Sequence, residues 1–133
     1  MQTSVLLSIK PKYVDAIVKG EKKYEFRKKI FKSNNVKKIY IYSSSPVQKI
    51  IGYFELNNVF TAHPKDIWEK CSKYGGIDET NFFQYYEGRD QGYSLFIENL
   101  VLFDEAICPY SRFEAFIPPQ SYIYFDSFLK KLL

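Results

Sequence analysis

Residue types that carry metal or nucleophilic chemistry are scarce in this sequence. Its 133 residues include one histidine, His63, and two cysteines, Cys71 and Cys108. A structural zinc ion takes four Cys or His ligands, so we expect no metal site and no other cofactor. Two cysteines do not make a disulfide framework. A catalytic dyad of Cys71 and His63 is an alternative, but Cys71 lies on the apolar face of its predicted helix. That position favours inert packing, and a lone histidine is more often a capping or surface residue.

The sequence also lacks long hydrophobic runs, a glycine-rich phosphate loop and a nucleophile elbow. A membrane-spanning helix needs about 20 apolar residues, so we expect no membrane partner. The N-terminus has no basic leader, and its apolar stretch is too short for a signal peptide. We therefore predict a cytoplasmic protein whose cysteines are reduced.

Aromatic residues are abundant, with 12 Tyr, 12 Phe and one Trp. Such a composition argues against disorder and favours strands that carry large side chains on pleated surfaces. A chain of this length can bury one hydrophobic core without disulfides or metals. We predict a single domain over residues 1–133.

Charge is distributed unevenly along the chain. Residues 1–49 contain 12 basic and three acidic groups, a net charge of +9, whereas residues 50–133 contain seven basic and twelve acidic groups, a net charge of −5. A basic N-terminal third favours a face that binds an anion, and RNA or a nucleotide is the natural candidate. A solvated lysine-rich surface is the alternative.

Short predicted strands and helices are separated by Gly and Pro residues, which favour turns. Strands are predicted over residues 5–10, 24–28, 36–42, 50–60, 92–103 and 121–125, and helices over 11–20, 64–74 and 78–88. In the third strand Ile39 and Ile41 share one face and Tyr40 and Tyr42 the other. Asp126 is expected to cap a terminal helical turn. Because the strands cluster without regular helical crossovers, we predict an α+β fold with a small, mostly antiparallel β-barrel and flanking short helices.

One segment, residues 20–27, combines a glycine turn with several charges. Glu25 and Arg27 would share a face of the following strand, while Lys22, if it lies in the turn, escapes the strand's alternation. The three charged groups would then meet at one rim, where the carboxylate stays ionised between cations. The alternative is a charged edge strand that discourages aggregation.

The pattern Gly20, Lys22, Glu25 and Arg27, which follows a strand and a short helix, resembles the signature of the ASCH domain, a member of the PUA-like β-barrel superfamily. Residues 7–13 resemble the family's opening strand and helix start, and residues 88–93 and 118–122 resemble segments of a small stand-alone subgroup. The resemblance implies a PUA-like barrel with an RNA-binding cleft. The residues it implies at that cleft are Lys22, Glu25 and Arg27. We add Ser8 and Lys10, because the first strand should end near the cleft, and, as further additions, Tyr93 and Gln120.

A branch of similar fold, the acetylcytidine amidohydrolases, uses the signature lysine with a threonine and a glutamate. Lys22 matches that lysine, but Glu25 stands at the threonine position, so the hydroxyl nucleophile is missing. Other relatives resemble ribonucleases. The leading hypothesis is a module that binds RNA or a nucleotide. The alternatives are a hydrolase that acts through Lys22 and Glu25, and a protein-interaction module in transcription regulation.

Overall fold

Eight strands and three helices make up the part of the chain that this computed structural model describes, residues 3–112 and 116–126. The strands are β1 (Thr3–Ile9), β2 (Tyr24–Arg27), β3 (Val36–Ser43), β4 (Lys49–Glu55), β5 (Val59–Ala62), β6 (Gly92–Phe96), β7 (Glu98–Ile107) and β8 (Tyr122–Tyr124). The helices are α1 (Pro11–Val18), α2 (Pro64–Cys71) and α3 (Glu79–Tyr85), and single 3₁₀ turns cover Ser72–Tyr74 and Pro109–Ser111.

The strands form two sheets. The larger sheet has the order β7-β4-β3-β1-β8, and the smaller has the order β2-β6-β5. Strands β1 and β3 pair in parallel, whereas the other pairs are antiparallel. The predicted α+β class is confirmed. Among the described residues the two sheets do not close on each other, so the predicted barrel is not confirmed.

Two predicted strands are each divided in two. The strand predicted over 50–60 ends at Glu55 in the larger sheet, and β5 continues in the smaller one. The strand predicted over 92–103 is divided at Ile97, where the chain passes back to the larger sheet. Asn99 next to that break has a φ of 48°. The prediction of two continuous strands was wrong. In both segments apolar and polar side chains keep alternating along the chain, although the backbone leaves one sheet and pairs with a strand of the other.

The predicted helix starts are confirmed. Pro11 begins α1, and Pro64 begins α2. Asp78 caps α3, because its Oδ1 accepts a hydrogen bond from Asn81 N at 2.7 Å. The second helix ends at Cys71, where a 3₁₀ turn takes over.

The predicted terminal turn after Asp126 falls on residues outside the described part. Asp126 Oδ1 itself accepts a hydrogen bond from Ser4 N at 3.0 Å, so this carboxylate holds the start of β1.

Both faces of the larger sheet are buried. Ile39 and Ile41 belong to a core formed with α1 and β6, and Tyr40 and Tyr42 belong to a second core on the opposite face. The predicted division of β3 into two faces is therefore confirmed. A third core lies between the smaller sheet and helices α2 and α3.

Gly52 allows the close approach of β4 and β7. A Cβ at this position would lie 2.1 Å from the Val101 carbonyl oxygen and 3.0 Å from Leu102 Cα. We expect Gly52→Ala to lower the free energy of unfolding by about 1–3 kcal/mol, because backbone must move to admit the methyl group. Urea denaturation measures this loss. Thr61→Ala on exposed β5 is the control and should change stability by less than about 0.5 kcal/mol; equal stability of the two variants would contradict the account.

Candidate functional site

The turn after α1 places Lys22 outside the strand, as expected from the sequence. Gly20 ends the helix with a φ of +79°, and Lys22 N then donates to Ala16 O at 3.1 Å. Lys23 N donates to Tyr74 O at 2.7 Å, which fixes the entry into β2. The side chain of Lys22 is thus directed by its turn and not by the alternation of the strand.

Lys22 is a buried lysine, with 3% of its surface exposed. Its Nζ donates to Gly75 O at 2.6 Å and lies 4.6 Å from the Phe26 ring centroid and 5.3 Å from that of Tyr13. Burial lowers the pKa of Lys22, and the nearby carboxylate of Glu25 opposes this shift. The amine therefore loses its proton more readily than an exposed lysine does.

Glu25 lies between two cations. Its Oε1 is 3.9 Å from Lys22 Nζ, and its Oε2 accepts a hydrogen bond from Arg27 Nη1 at 3.1 Å. Glu25 and Arg27 are two residues apart in β2 and their side chains meet on one face, as the sequence predicts. We call these three residues the charged triad.

Arg27 connects the two sheets. From β2 in the smaller sheet its Nη1 donates to Ser8 O on β1 at 3.4 Å, and its Nη2 donates to Ser121 Oγ before β8 at 2.5 Å. Ser8 N also donates to Ser121 O at 3.0 Å. The guanidinium is thereby held by backbone and side-chain oxygens of the larger sheet.

Helix α3 supports the outer side of β2 through two tyrosines. Tyr86 Oη is within 3.1 Å of Arg27 O and 3.3 Å of Tyr93 O, and it donates to these carbonyls. Tyr85 Oη accepts a hydrogen bond from Lys28 N at 3.2 Å. Burial raises the pKa of both phenols, so they stay neutral at physiological pH.

A cavity of about 1010 Å³ opens over the charged triad, and we call it the triad cavity. The residues predicted at the site that line it are Ser8, Lys10, Lys22, Glu25, Arg27 and Gln120. Tyr93 is not part of the lining. It pairs with Arg27 across the β2–β6 ladder and packs half-buried against the core under β1 and β3. The structure thus brings together six of the seven predicted residues.

Basic residues dominate the walls of the triad cavity. Seven basic residues and one acidic residue, Glu25, are among the described residues that line it. The exposed members at the rim are Lys10, Lys12, Lys28, Lys29 and Arg89. The cavity consequently presents a positive field to an entering ligand.

Three contributors to the site were not predicted from the sequence. Gly75 supplies the carbonyl that holds Lys22, although the sequence predicted only that a helix ends just before it, at residue 74. Ser121 binds Arg27 from a segment that was predicted as the start of a strand and noted for its resemblance to other family members, without a role for Ser121. Arg89 lines the cavity and was noted only as part of a segment resembling other family members.

Other candidate chemistry is absent from the described residues. His63 Nδ1 accepts a hydrogen bond from Lys65 N at 3.1 Å, so this histidine caps α2 as expected. Cys71 is buried, and burial raises the pKa of its thiol. Within residues 3–112 and 116–126 no cluster of His, Cys, Asp or Glu could hold a metal ion, and no helix is long and apolar enough to cross a membrane.

The model of the ASCH domain family matches residues 7–102 of the chain. This chain belongs to the ASCH domain family. The match contains the charged triad, α1 and the last three residues of β1, so the charged residues of the family signature line the triad cavity.

Two kinds of curated protein are similar to this ASCH domain in sequence. The large ribosomal subunit protein uL22 of two Ureaplasma parvum strains is 29% identical over 92 residues, 69% of this chain and 30% of that protein. An ASCH domain-containing ribonuclease from Zymomonas mobilis is 28% identical over 86 residues, 65% of this chain and 58% of that protein. The chain thus spans less than two thirds of the length of each relative.

Solved structures of ASCH from Zymomonas mobilis have the same fold. One has a TM-score of 0.85 at 24% identity and covers 97% of this chain and 92% of that one. A mutant of the same protein, with serine replaced by alanine, gives 0.85 at 23% identity, with 97% and 93% covered.

Gly76 leaves room for the side chain of Lys22. Its φ is +65°, and a Cβ there would lie 2.6 Å from Lys22 Cβ and 2.9 Å from Cγ. Gly88 is the matched control, since its φ is +78° and a Cβ would meet nothing within 4 Å. We expect Gly76→Ala and Gly88→Ala both to lose about 1–2 kcal/mol of stability from the left-handed backbone.

Only Gly76→Ala should also displace Lys22 and return its pKa toward the ordinary lysine value. NMR titration of the Lys22 Cε signal, assigned with Lys22→Arg, measures this pKa. An unchanged Lys22 pKa in a folded Gly76→Ala protein would contradict the role of Gly76.

Proposed function

We propose that this ASCH domain binds RNA or a nucleotide in the triad cavity. The observation that carries the proposal is the lining of seven basic residues and one carboxylate around a cavity of about 1010 Å³. Phosphates are the ligands that such a field attracts, because their neutralisation releases counterions.

Two levels of the cavity suit two parts of a nucleotide. The rim lysines are exposed and would contact phosphates, whereas the charged triad lies deeper and would contact polar atoms of a base or sugar. Tyr13 and Tyr85 also line the cavity, and a base could stack on their rings in place of the Lys12 and Lys28 ammonium groups that lie over them. Ser8, Lys10 and Gln120 complete the proposed site, and Tyr93 is left out of it.

The relatives support RNA as the polyanion. One is named a ribonuclease and another a protein of the large ribosomal subunit. Since the chain matches only part of each relative, the activities and assemblies of those proteins are only proposed for this chain. A cytoplasmic location and a single domain over residues 1–133 remain predictions from the sequence.

Fluorescence anisotropy with a labelled single-stranded RNA and a labelled hairpin tests the proposal. Affinity should fall by at least about tenfold between about 50 and 200 mM salt, because several phosphates are neutralised. Arg27→Ala should weaken binding, while Arg112→Ala, which removes an exposed arginine outside the cavity lining, should not.

Because Arg27 also joins the sheets, a second comparison uses only exposed residues. Lys28→Ala with Lys29→Ala removes two rim charges, and Lys32→Ala with Lys37→Ala removes two exposed charges outside the lining. The first pair should weaken binding and lower the salt dependence more than the second. Equal effects of the two pairs, or binding indifferent to salt, would overturn the proposal.

A hydrolase is the second candidate function. A specific observation favours it: Lys22 is a buried amine with a lowered pKa, 3.9 Å from a carboxylate, in a chain related to a ribonuclease. In RNA cleavage the neutral amine would take the proton of the 2′-hydroxyl as its oxygen bonds to phosphorus, and Arg27 would stabilise the charge on the phosphorane. The P–O5′ bond would then break, and the leaving 5′-oxygen would take a proton from water. In amide hydrolysis of acetylcytidine Lys22 would instead activate water.

Turnover separates binding from hydrolysis. Labelled RNA and acetylcytidine are incubated with the protein from about pH 6 to about pH 10, and products are separated by chromatography. We expect the rate to rise as Lys22 loses its proton, below the pH at which an ordinary lysine does. Lys22→Arg, which stays protonated, and Glu25→Gln should lose at least about 100-fold in rate, and exposed Lys23→Arg should not. No turnover, or turnover insensitive to Lys22→Arg, excludes this candidate.

A further inference from the structure

The charged triad presents its hydrogen-bonding groups in a fixed order. Oε1 of Glu25 faces Lys22, and Oε2 faces Arg27. Ammonium and guanidinium groups only donate hydrogen bonds, and an ionised carboxylate only accepts them. Across the floor of the triad cavity the order is therefore donor, acceptor, donor.

All three groups keep capacity for a ligand. The distance of 3.9 Å between Lys22 Nζ and Glu25 Oε1 is too long for a hydrogen bond. Described residues take one of the three protons of Lys22, through Gly75 O. Arg27 makes three hydrogen bonds to described residues and has five N–H donors.

Oε1 of Glu25, which makes no hydrogen bond to a described residue, keeps some exposed surface. Oε1 accepts no hydrogen bond from a described residue, yet within residues 3–112 and 116–126 no buried side-chain oxygen lacks a partner. Oε1 is consequently not sealed by protein, and the carboxylate of Glu25, which lines the cavity, lies between the Lys22 and Arg27 donors.

Only one of the four RNA bases matches this order on its pairing edge. Uracil has a ring N–H between two carbonyl oxygens, which is acceptor, donor, acceptor. Cytosine would place its amino group, a donor, against the donor Lys22, and its unprotonated ring nitrogen, an acceptor, against the acceptor Glu25. Adenine makes the same two mismatches, and guanine places an amino group against Arg27. A base that leaves a charged group unpaired here loses affinity.

We infer that the triad cavity selects the imide edge of a pyrimidine, with Lys22 and Arg27 donating to its two carbonyls and Glu25 accepting from its ring N–H. This inference rests on the proposed binding of RNA or a nucleotide. Tyr13, whose ring centroid lies 5.3 Å from Lys22 Nζ, lines the same cavity next to the bound base. The imide belongs to uridine in RNA, to free uridine monophosphate and to thymidine in DNA.

The decisive comparison changes only the ligand. Fluorescence anisotropy compares a uridine decamer with a cytidine decamer, which keeps the backbone and the pyrimidine ring. We expect the uridine decamer to bind at least about tenfold more tightly. A decamer of 3-methyluridine keeps both carbonyls but lacks the ring N–H, and it should lose this advantage. Competition by uridine monophosphate and by a thymidine decamer then tells which source of the imide the cavity accepts.

A matched pair of variants tests the role of the carboxylate. In Glu25→Gln the amide can turn its N–H toward the ring nitrogen of cytosine, so the preference for uridine over cytidine should fall toward one. Glu21→Gln removes the same charge from an exposed position of the same turn outside the cavity lining, and it should keep the preference. Should Glu25→Gln not fold, the ligand series alone decides.

The outcomes separate this inference from the proposed function. Equal affinity for the uridine, cytidine and 3-methyluridine decamers, with binding still weakened by salt and by the rim substitutions, overturns the imide selection and leaves RNA binding standing. No binding of any oligomer or nucleotide overturns both.

Discussion

The buried carboxylate of Glu25 is the feature on which the site depends. A charge removed from water needs close partners of opposite sign, and Glu25, 5% exposed, has Arg27 at 3.1 Å and Lys22 at 3.9 Å. These partners are held in turn, Lys22 by Gly75 O and Arg27 by Ser8 O and Ser121 Oγ. The need to pair the buried carboxylate of Glu25 with two cations therefore determines where the turn after α1, β2 and the larger sheet meet.

Local rules of the chain account for much of the fold. Proline and Asp78 define helix starts, and alternation assigns Ile39 and Tyr40 to opposite cores. The same alternation failed at residues 50–60 and 92–103, because a strand keeps its pattern when it changes sheets. Sheet membership depends on which distant segment supplies the hydrogen bonds, and pattern alone does not contain that information. The barrel implied by the resemblance likewise depends on such long-range pairing.

In the candidate site, too, local features were predictable from the sequence and long-range contacts were not. Lys22, Glu25 and Arg27 lie within six residues, so turn geometry and strand alternation allowed them to meet, and the family resemblance implied that they line one cleft. Gly75 and Ser121 lie 53 and 94 residues from the cations they hold, and only the tertiary structure joins them. Lys22 also shows why burial was not predictable: besides the nearby rings of Tyr13 and Phe26, it packs against Gly75 and Gly76 from a distant part of the chain.

The parallel pairing of β1 with β3 has a consequence for the segment that carries the signature. Parallel neighbours cannot be joined by a tight hairpin, because the chain must return to the opposite end of the sheet before the second strand begins. Residues 10–35 form this return path, and they contain α1, the charged turn and β2. The signature is consequently part of an obligatory crossover, and its length is constrained by the topology as well as by the chemistry of its charges.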